Sequence, residues 1–133
     1  MIAALINYIE GVSPALFKRF AIIWTFVISV LSLMPSRDIN SLKLVQIEGL
    51  DKILHFVCYM VLSFLWMGAF KNRQVSTKYI IFFTLTFGGL MEIFQFYLLL
   101  GRSLELGDML ANSLGIFLGI ILFNKFINLR SHV

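Results

Sequence analysis

Charge is scarce in this sequence. Only 14% of its 133 residues are Asp, Glu, Lys or Arg, against about a quarter in soluble globular domains, which excludes an ordinary soluble fold. Acid is scarcer than base: 7 acidic residues face 11 basic ones, for a formal charge of +4. Cysteine occurs once, as Cys58 inside an apolar run. That excludes an intramolecular disulfide and a thiolate metal cluster and leaves a packing role. Two prolines are present, Pro14 and Pro35, and each borders an apolar stretch instead of interrupting one. The two histidines, His55 and His132, are too few for the histidine- and arginine-rich signatures of lipid phosphatases. No G-x-S-x-G elbow, H-E-x-x-H or H-x-x-E-H pair or P-loop occurs, so those hydrolase, metalloprotease and nucleotidase templates do not apply. Internal repeats and low-complexity segments are also missing.

Hydrophobic residues make up 59% of the chain, and they fall into four runs. A membrane-spanning helix needs about 20 mostly apolar residues. The runs predict spans over Ala15 to Met34, Lys52 to Phe70, Tyr79 to Leu100 and Leu106 to Lys125. Ser13 followed by Pro14 is a helix-start signal, with serine as N-cap and proline at the first helical position. Pro35 ends the first span. Ahead of it, Ile2, Leu5, Ile6 and Ile9 share one helical face, which predicts a short interfacial helix interrupted at Gly11 and Val12. This N-terminus has no early basic segment and does not read as a cleaved signal peptide. The polar stretch between Ser36 and Leu50 reads as a surface loop. The chain is too short for an added catalytic domain. The expectation is an all-α integral membrane bundle of four transmembrane helices with a short N-terminal interfacial helix, one domain over residues 1–133.

The basic residues sit in the segments between runs, where they report membrane orientation and not nucleic-acid binding. Four spans place the N-terminal flank, the second connection and the C-terminal tail on one side. That side holds seven basic residues: Lys18, Arg19, Lys71, Arg73, Lys78, Lys125 and Arg130. The other side holds four, Arg37, Lys43, Lys52 and Arg102, accompanied by Asp38, Glu48, Asp51 and Glu105. Both termini are therefore expected in the cytoplasm.

With this orientation, polar groups from three spans fall at matching depth. Lys52, His55, Tyr59 and Ser63 recur at three- and four-residue spacing, so they share a face of the second span. Glu92 and Gln95 lie in the outer half of the third span, and Arg102 extends their face. Asp108 and Asn112 open the fourth. At about 1.5 Å rise per residue, all fall within roughly 12 Å of the outer boundary. Glu92 is the deepest acid. An ionised group near the bilayer centre costs about 2.5–3.5 kcal/mol on insertion scales, so it needs a partner among Lys52, His55 and Arg102. Gly107, Ala111, Gly115 and Gly119 repeat at a spacing of four on the fourth span, and Gly88 and Gly89 precede Glu92. Small residues so placed let helix backbones approach closely in lipid.

The ordered set Asp51-Lys52-Ile53-Leu54-His55-Phe56 with Tyr59, then Glu92-Ile93-Phe94-Gln95, then Arg102 through Asp108 and Asn112 to Gly115 resembles the VanZ-like family of small bacterial membrane proteins. The resemblance covers about Pro35 to Gly119. It implies a place in the bacterial cytoplasmic (inner) membrane and a role at the cell envelope. The family takes its name from a protein linked to teicoplanin resistance, so the resemblance also implies a link to glycopeptide (teicoplanin-type) antibiotic resistance. No reaction, substrate or cofactor comes with it. Its motif marks Lys52, His55, Glu92, Gln95, Arg102, Asp108 and Asn112.

Three readings follow for these residues. The first is a polar pocket at the outer face that binds an amphiphile or lipid head group: Lys52 and Arg102 would hold phosphate or carboxylate, and Asn112, Gln95 and Tyr59 would bond hydroxyl or amide groups. Its expected partners are a membrane lipid, a lipoglycopeptide or a lipid-linked cell-wall precursor, with homo-oligomers allowed and no nucleic acid. The second is a membrane-embedded hydrolase or transferase acting on a lipid head group, with His55 as proton carrier and Glu92 or Asp108 as base or orienting group. The third is a structural ion-pair cluster that fixes helix register. A metal on His55, Glu92 and Asp108 would have one imidazole and no ligand pair close in sequence, so no metal and no cofactor is expected. Transport is disfavoured, because no broken-helix pair is evident. Orientation is directly measurable: a reporter fused after Arg73 should read as cytoplasmic, and an external signal would reverse the topology.

Overall fold

In a computed structural model, residues 11–34, 49–98 and 105–128 are described, with side chains through 126. The expected interfacial helix, the loop that follows Pro35, and Arg102 lie outside the described residues. Four helices account for nearly all the rest: α1 (Pro14–Ser32), α2 (Leu50–Ala69), α3 (Thr77–Tyr97) and α4 (Leu106–Asn128). Each is long and apolar enough to cross a membrane. The predicted spans match them to within three residues at each described boundary.

The helix starts follow from local chemistry. At α1, the Ser13 side chain accepts a hydrogen bond from the Leu16 amide at 3.2 Å, with Pro14 in the first turn, as the Ser-Pro pair predicts. At α2, Gly49 takes the left-handed conformation, φ 81°, which glycine adopts without a side-chain penalty. Asp51 and Asp108 occupy the first turns of α2 and α4, and Lys125 the last turn of α4. These charges complement the helix dipoles.

α2 is the hub, with α1, α3 and α4 all packed against it. Its contact with α4 is the most extensive, and glycine explains why. A Cβ at Gly115 would collide with the Phe56 carbonyl, and one at Gly119 with the Met60 carbonyl and the Ser63 hydroxyl. The two helices run parallel, so Lys52, Phe56 and Met60 on α2 meet Gly107, Gly115 and Gly119 on α4 in order. The Ser63 hydroxyl crosses this seam, 3.0 Å from the Ile116 carbonyl.

Aromatic rings and indole donors fix the other two helices. Trp24 donates to the Cys58 carbonyl at 2.9 Å, and Trp66 to the Thr25 hydroxyl at 3.3 Å, which joins α1 to α2. Phe17 packs edge-on to Phe123 and against Phe64. Lys71 donates to the Val12 carbonyl at 2.8 Å, so the start of α1 and the α2–α3 turn share one end of the bundle, as four spans require. On α3, Gly88 meets the Tyr59 ring, and Phe83 packs edge-on to Trp66. Thr84 bonds back to the Ile80 carbonyl, as expected of threonine inside a membrane helix. Large apolar side chains such as Phe26, Phe82 and Leu110 point outward and are more than half exposed. Such a surface suits lipid and not water.

The α2–α4 contact makes a stability prediction. Gly115→Leu should lower the stability of the detergent-solubilised protein by at least about 1–3 kcal/mol, the usual penalty for overpacking, because a backbone carbonyl blocks the new side chain. Gly89→Ala, whose Cβ meets nothing within 4 Å, should leave stability unchanged or raise it. Thermal melting followed by circular dichroism checks both.

Candidate functional site

At the end of the bundle where α2 and α4 begin, polar side chains from three helices meet. The parallel seam sets this up. With α4 held against α2 at Gly107 and Gly115, Asp108 and Asn112 stand beside the first two turns of α2. α3 runs the opposite way, so its last turns bring Glu92 to the same depth.

The rim is an ion cluster around Lys52. Its ammonium lies 3.1 Å from an Asp51 oxygen, 3.1 Å from Glu105 and 3.6 Å from Asp108 Oδ1. Lys52 and Glu105 are both about half exposed as side chains, at 43% and 47%. Exposed pairs of this kind contribute about 0–1 kcal/mol each, so the rim orders the entrance more than it stabilises the fold.

Beneath the rim lies a buried network. Glu92 is 1% exposed, Asn112 3% and Asp108 5%. His55 Nδ1 is 3.0 Å from Asn112 Oδ1 and 3.6 Å from Glu92 Oε1. Asn112 Nδ2 donates to Glu92 Oε1 at 3.4 Å. His55 Nε2 stands 3.9 Å from Asp108 Oδ2. Because the Asn112 amide nitrogen is directed to Glu92, its oxygen faces the imidazole and accepts the Nδ1 proton. Nε2, the other ring nitrogen, then faces Asp108. Asn112 thus links the histidine of α2 to the glutamate of α3.

Among the described residues, Gln95 Nε2 and Asp108 Oδ1 are buried without a hydrogen-bond partner. Asp108 Oδ1 has only the longer electrostatic contact with Lys52. Gln95 is 1% exposed and lies one turn from Glu92 on α3.

The structure therefore brings Lys52, His55, Glu92, Asp108 and Asn112 together and buries Gln95 one turn beyond Glu92. Glu92 has His55 as the expected neighbour. Tyr59 is placed differently from its expected part in head-group bonding. It is buried at 2%, with its ring against Gly88 and 6.2 Å from Phe87, so its body is packing between α2 and α3. Lys52 also differs from expectation. An ammonium already among three carboxylates is not a vacant anion holder. The sequence reading missed the carboxylates responsible, taking Asp51 and Glu105 only as companions of the basic residues. The available signal was their position next to Lys52 in sequence and three residues before Asp108, respectively. A separate apolar hollow of about 290 Å³, lined by residues including Trp66, Phe70, Tyr79 and Phe83, lies at the opposite end of α2 and is remote from these groups.

The chemistry available is proton exchange at His55, hydrogen bonding to hydroxyl or amide groups, and attraction of cations by the carboxylates. No curated protein and no solved structure is significantly similar to the chain. A family model, VanZ/LLP1, matches residues 7–128, which takes in every helix and every residue of the polar cluster. This multi-pass membrane protein belongs to the VanZ/LLP1 family.

Proposed function

We propose that the protein works at the cell envelope by binding the polar head of a membrane amphiphile at the outer mouth of the bundle. The observation that carries this reading is the pair of unmade bonds at Gln95 Nε2 and Asp108 Oδ1. A buried polar group left without a partner costs about 1–3 kcal/mol. A cluster serving only helix packing would close those bonds, whereas a receptor keeps them for its ligand.

The arrangement also narrows the ligand. Lys52 is held by Asp51, Glu105 and Asp108, so its charge is largely met within the protein. The head group best suited is one that offers a donor to Asp108 and an acceptor to Gln95. Hydroxyl and amide groups do both, and a sugar–peptide head carries many of each. A lipoglycopeptide or a lipid-linked wall precursor fits, with its chain among the apolar outer residues of the helices. The family's link to teicoplanin-type resistance enters here as part of the same proposal, as do the inner-membrane location and cytoplasmic termini.

A second reading, hydrolysis or transfer at the same head group, draws on His55, an imidazole beside the carboxylates of Glu92 and Asp108, a grouping suited to proton transfer. Turnover of bound precursor by the wild type and not by His55→Asn would place it first.

The binding reading is tested by titrating the protein in nanodiscs with a lipid-linked disaccharide–peptide precursor and with teicoplanin. Gln95→Leu should weaken binding of one of these about fivefold, the equivalent of one net hydrogen bond of about 1 kcal/mol. Asp108→Asn should also weaken it. Ser113→Ala, which removes only a bond within α4, should have no effect. If neither probe binds, or if Gln95→Leu and Asp108→Asn bind as the wild type does while retaining its melting temperature, the cluster is a packing device.

A further inference from the structure

His55, Glu92 and Asp108 come from α2, α3 and α4. One ring nitrogen of His55 and one oxygen from each carboxylate all lie within 4.8 Å of one another. Zinc-like ions bind nitrogen and oxygen ligands at about 2.0–2.2 Å, so bound donor atoms lie roughly 3.3 Å apart at tetrahedral angles and about 4.2 Å apart when opposite. The 3.9 Å between Nε2 and Asp108 Oδ2 is on that scale, and Glu92 Oε1 lies 3.6 Å from the other ring nitrogen.

The hydrogen bonding around His55 adds a sharper argument. Asn112 takes the Nδ1 proton, and Nε2 faces Asp108 Oδ2 across 3.9 Å. A proton on Nε2 would not join them well, because 3.9 Å exceeds hydrogen-bond length. The gap is close to twice a metal–ligand bond. A ligating histidine characteristically donates its other N–H to a neighbouring oxygen, which fixes the ring, and Asn112 Oδ1 fills that role.

Asp108 supplies an independent sign. Its carboxylate is 95% buried, yet Oδ1 receives no hydrogen bond. Its two oxygens face different partners, Oδ1 towards Lys52 and Oδ2 towards His55. Among the described residues, three carboxylates, Asp51, Glu105 and Asp108, share the ammonium of Lys52.

We infer that His55, Glu92 and Asp108 form a binding site for one divalent transition-metal ion. The donor set selects the ion. One imidazole and two carboxylates, without thiolate, favour zinc, manganese, iron or cobalt over copper(I), and the imidazole disfavours calcium and magnesium. Three protein ligands leave at least one coordination position open, the pattern of sites that also take water or an exogenous group. Spacing along the chain argues against this trio, because its members are separated by 37 and 16 positions, and only the bundle assembles them. The inference does not depend on the head-group reading, since the metal is bound by the chain's own side chains.

The test uses the full chain in detergent, stripped with a chelator and titrated with zinc(II), manganese(II) or cobalt(II) alone. One ion per chain should be retained after desalting, and cobalt(II) should develop visible absorption of an imidazole-containing site. His55→Asn and Asp108→Asn should each weaken binding at least about 100-fold, since changes outside the ligand shell already weaken metal binding 10–100-fold. Asn112→Ala should weaken it within that 10–100-fold range. Glu105→Gln should leave it unchanged, which separates this trio from the rim set of Asp51, Glu105 and Asp108. Circular dichroism melts verify that each variant is folded. Lack of a stoichiometric ion overturns the inference. So does wild-type affinity in a folded His55→Asn variant, or loss on Glu105→Gln alone.

Discussion

The close approach of α2 and α4 governs the rest of the structure. At Gly115 and Gly119 the backbones come so near that a methyl group would strike a carbonyl oxygen of α2. In lipid there is little hydrophobic drive to bring helices together, because the surroundings are as apolar as the side chains. Association rests on van der Waals contact and interhelical hydrogen bonds. Small residues enlarge the first term, and the Ser63 hydroxyl near the Ile116 carbonyl supplies the second. Because the helices are parallel, this seam also sets depth. Asn112 is brought level with His55, and Asp108 with Lys52.

The polar groups fall into two kinds. Ser29, Thr84 and Ser113 bond to carbonyls of their own helices, which meets their needs without involving a neighbour. His55, Glu92, Asp108 and Asn112 instead depend on other helices. Their satisfaction is a tertiary matter, so any shift in the seam would expose them to an apolar environment. The rim of Asp51, Lys52 and Glu105 lies nearer solvent, where ion pairs are easily rearranged. A buried inner network thus lies beneath a more exposed rim. Asp108 of that network, and Gln95 one turn beyond Glu92, each keep a buried atom without a hydrogen bond.

The four spans and their limits were legible because they rest on terms that act along the chain. Twenty apolar residues suffice to cross a bilayer, Ser13 and Pro14 mark a start wherever they occur together, and an acid as deep as Glu92 must find a partner. The facing of the second span was legible from spacing, since Lys52, His55 and Ser63 do line the α4 side. Tyr59 shows the limit. It sits at the same spacing, but its ring is large enough to reach α3, where Gly88 makes room for it. Spacing gives the direction in which a side chain leaves its helix and not the neighbour it reaches.

By itself the sequence determined a four-span membrane bundle, its parallel and antiparallel neighbours, and the depth at which its polar residues collect. These follow from hydropathy and helical period, which are properties of each segment alone. Tertiary structure decided which groups meet. It surrounded Lys52 with three carboxylates, set the Asn112 amide between His55 and Glu92, and brought Asp108 to the other nitrogen of that ring. Those outcomes depend on distances between helices and on the rotation of each about its axis. Both are settled only when glycine seams and aromatic contacts on separate segments pack together.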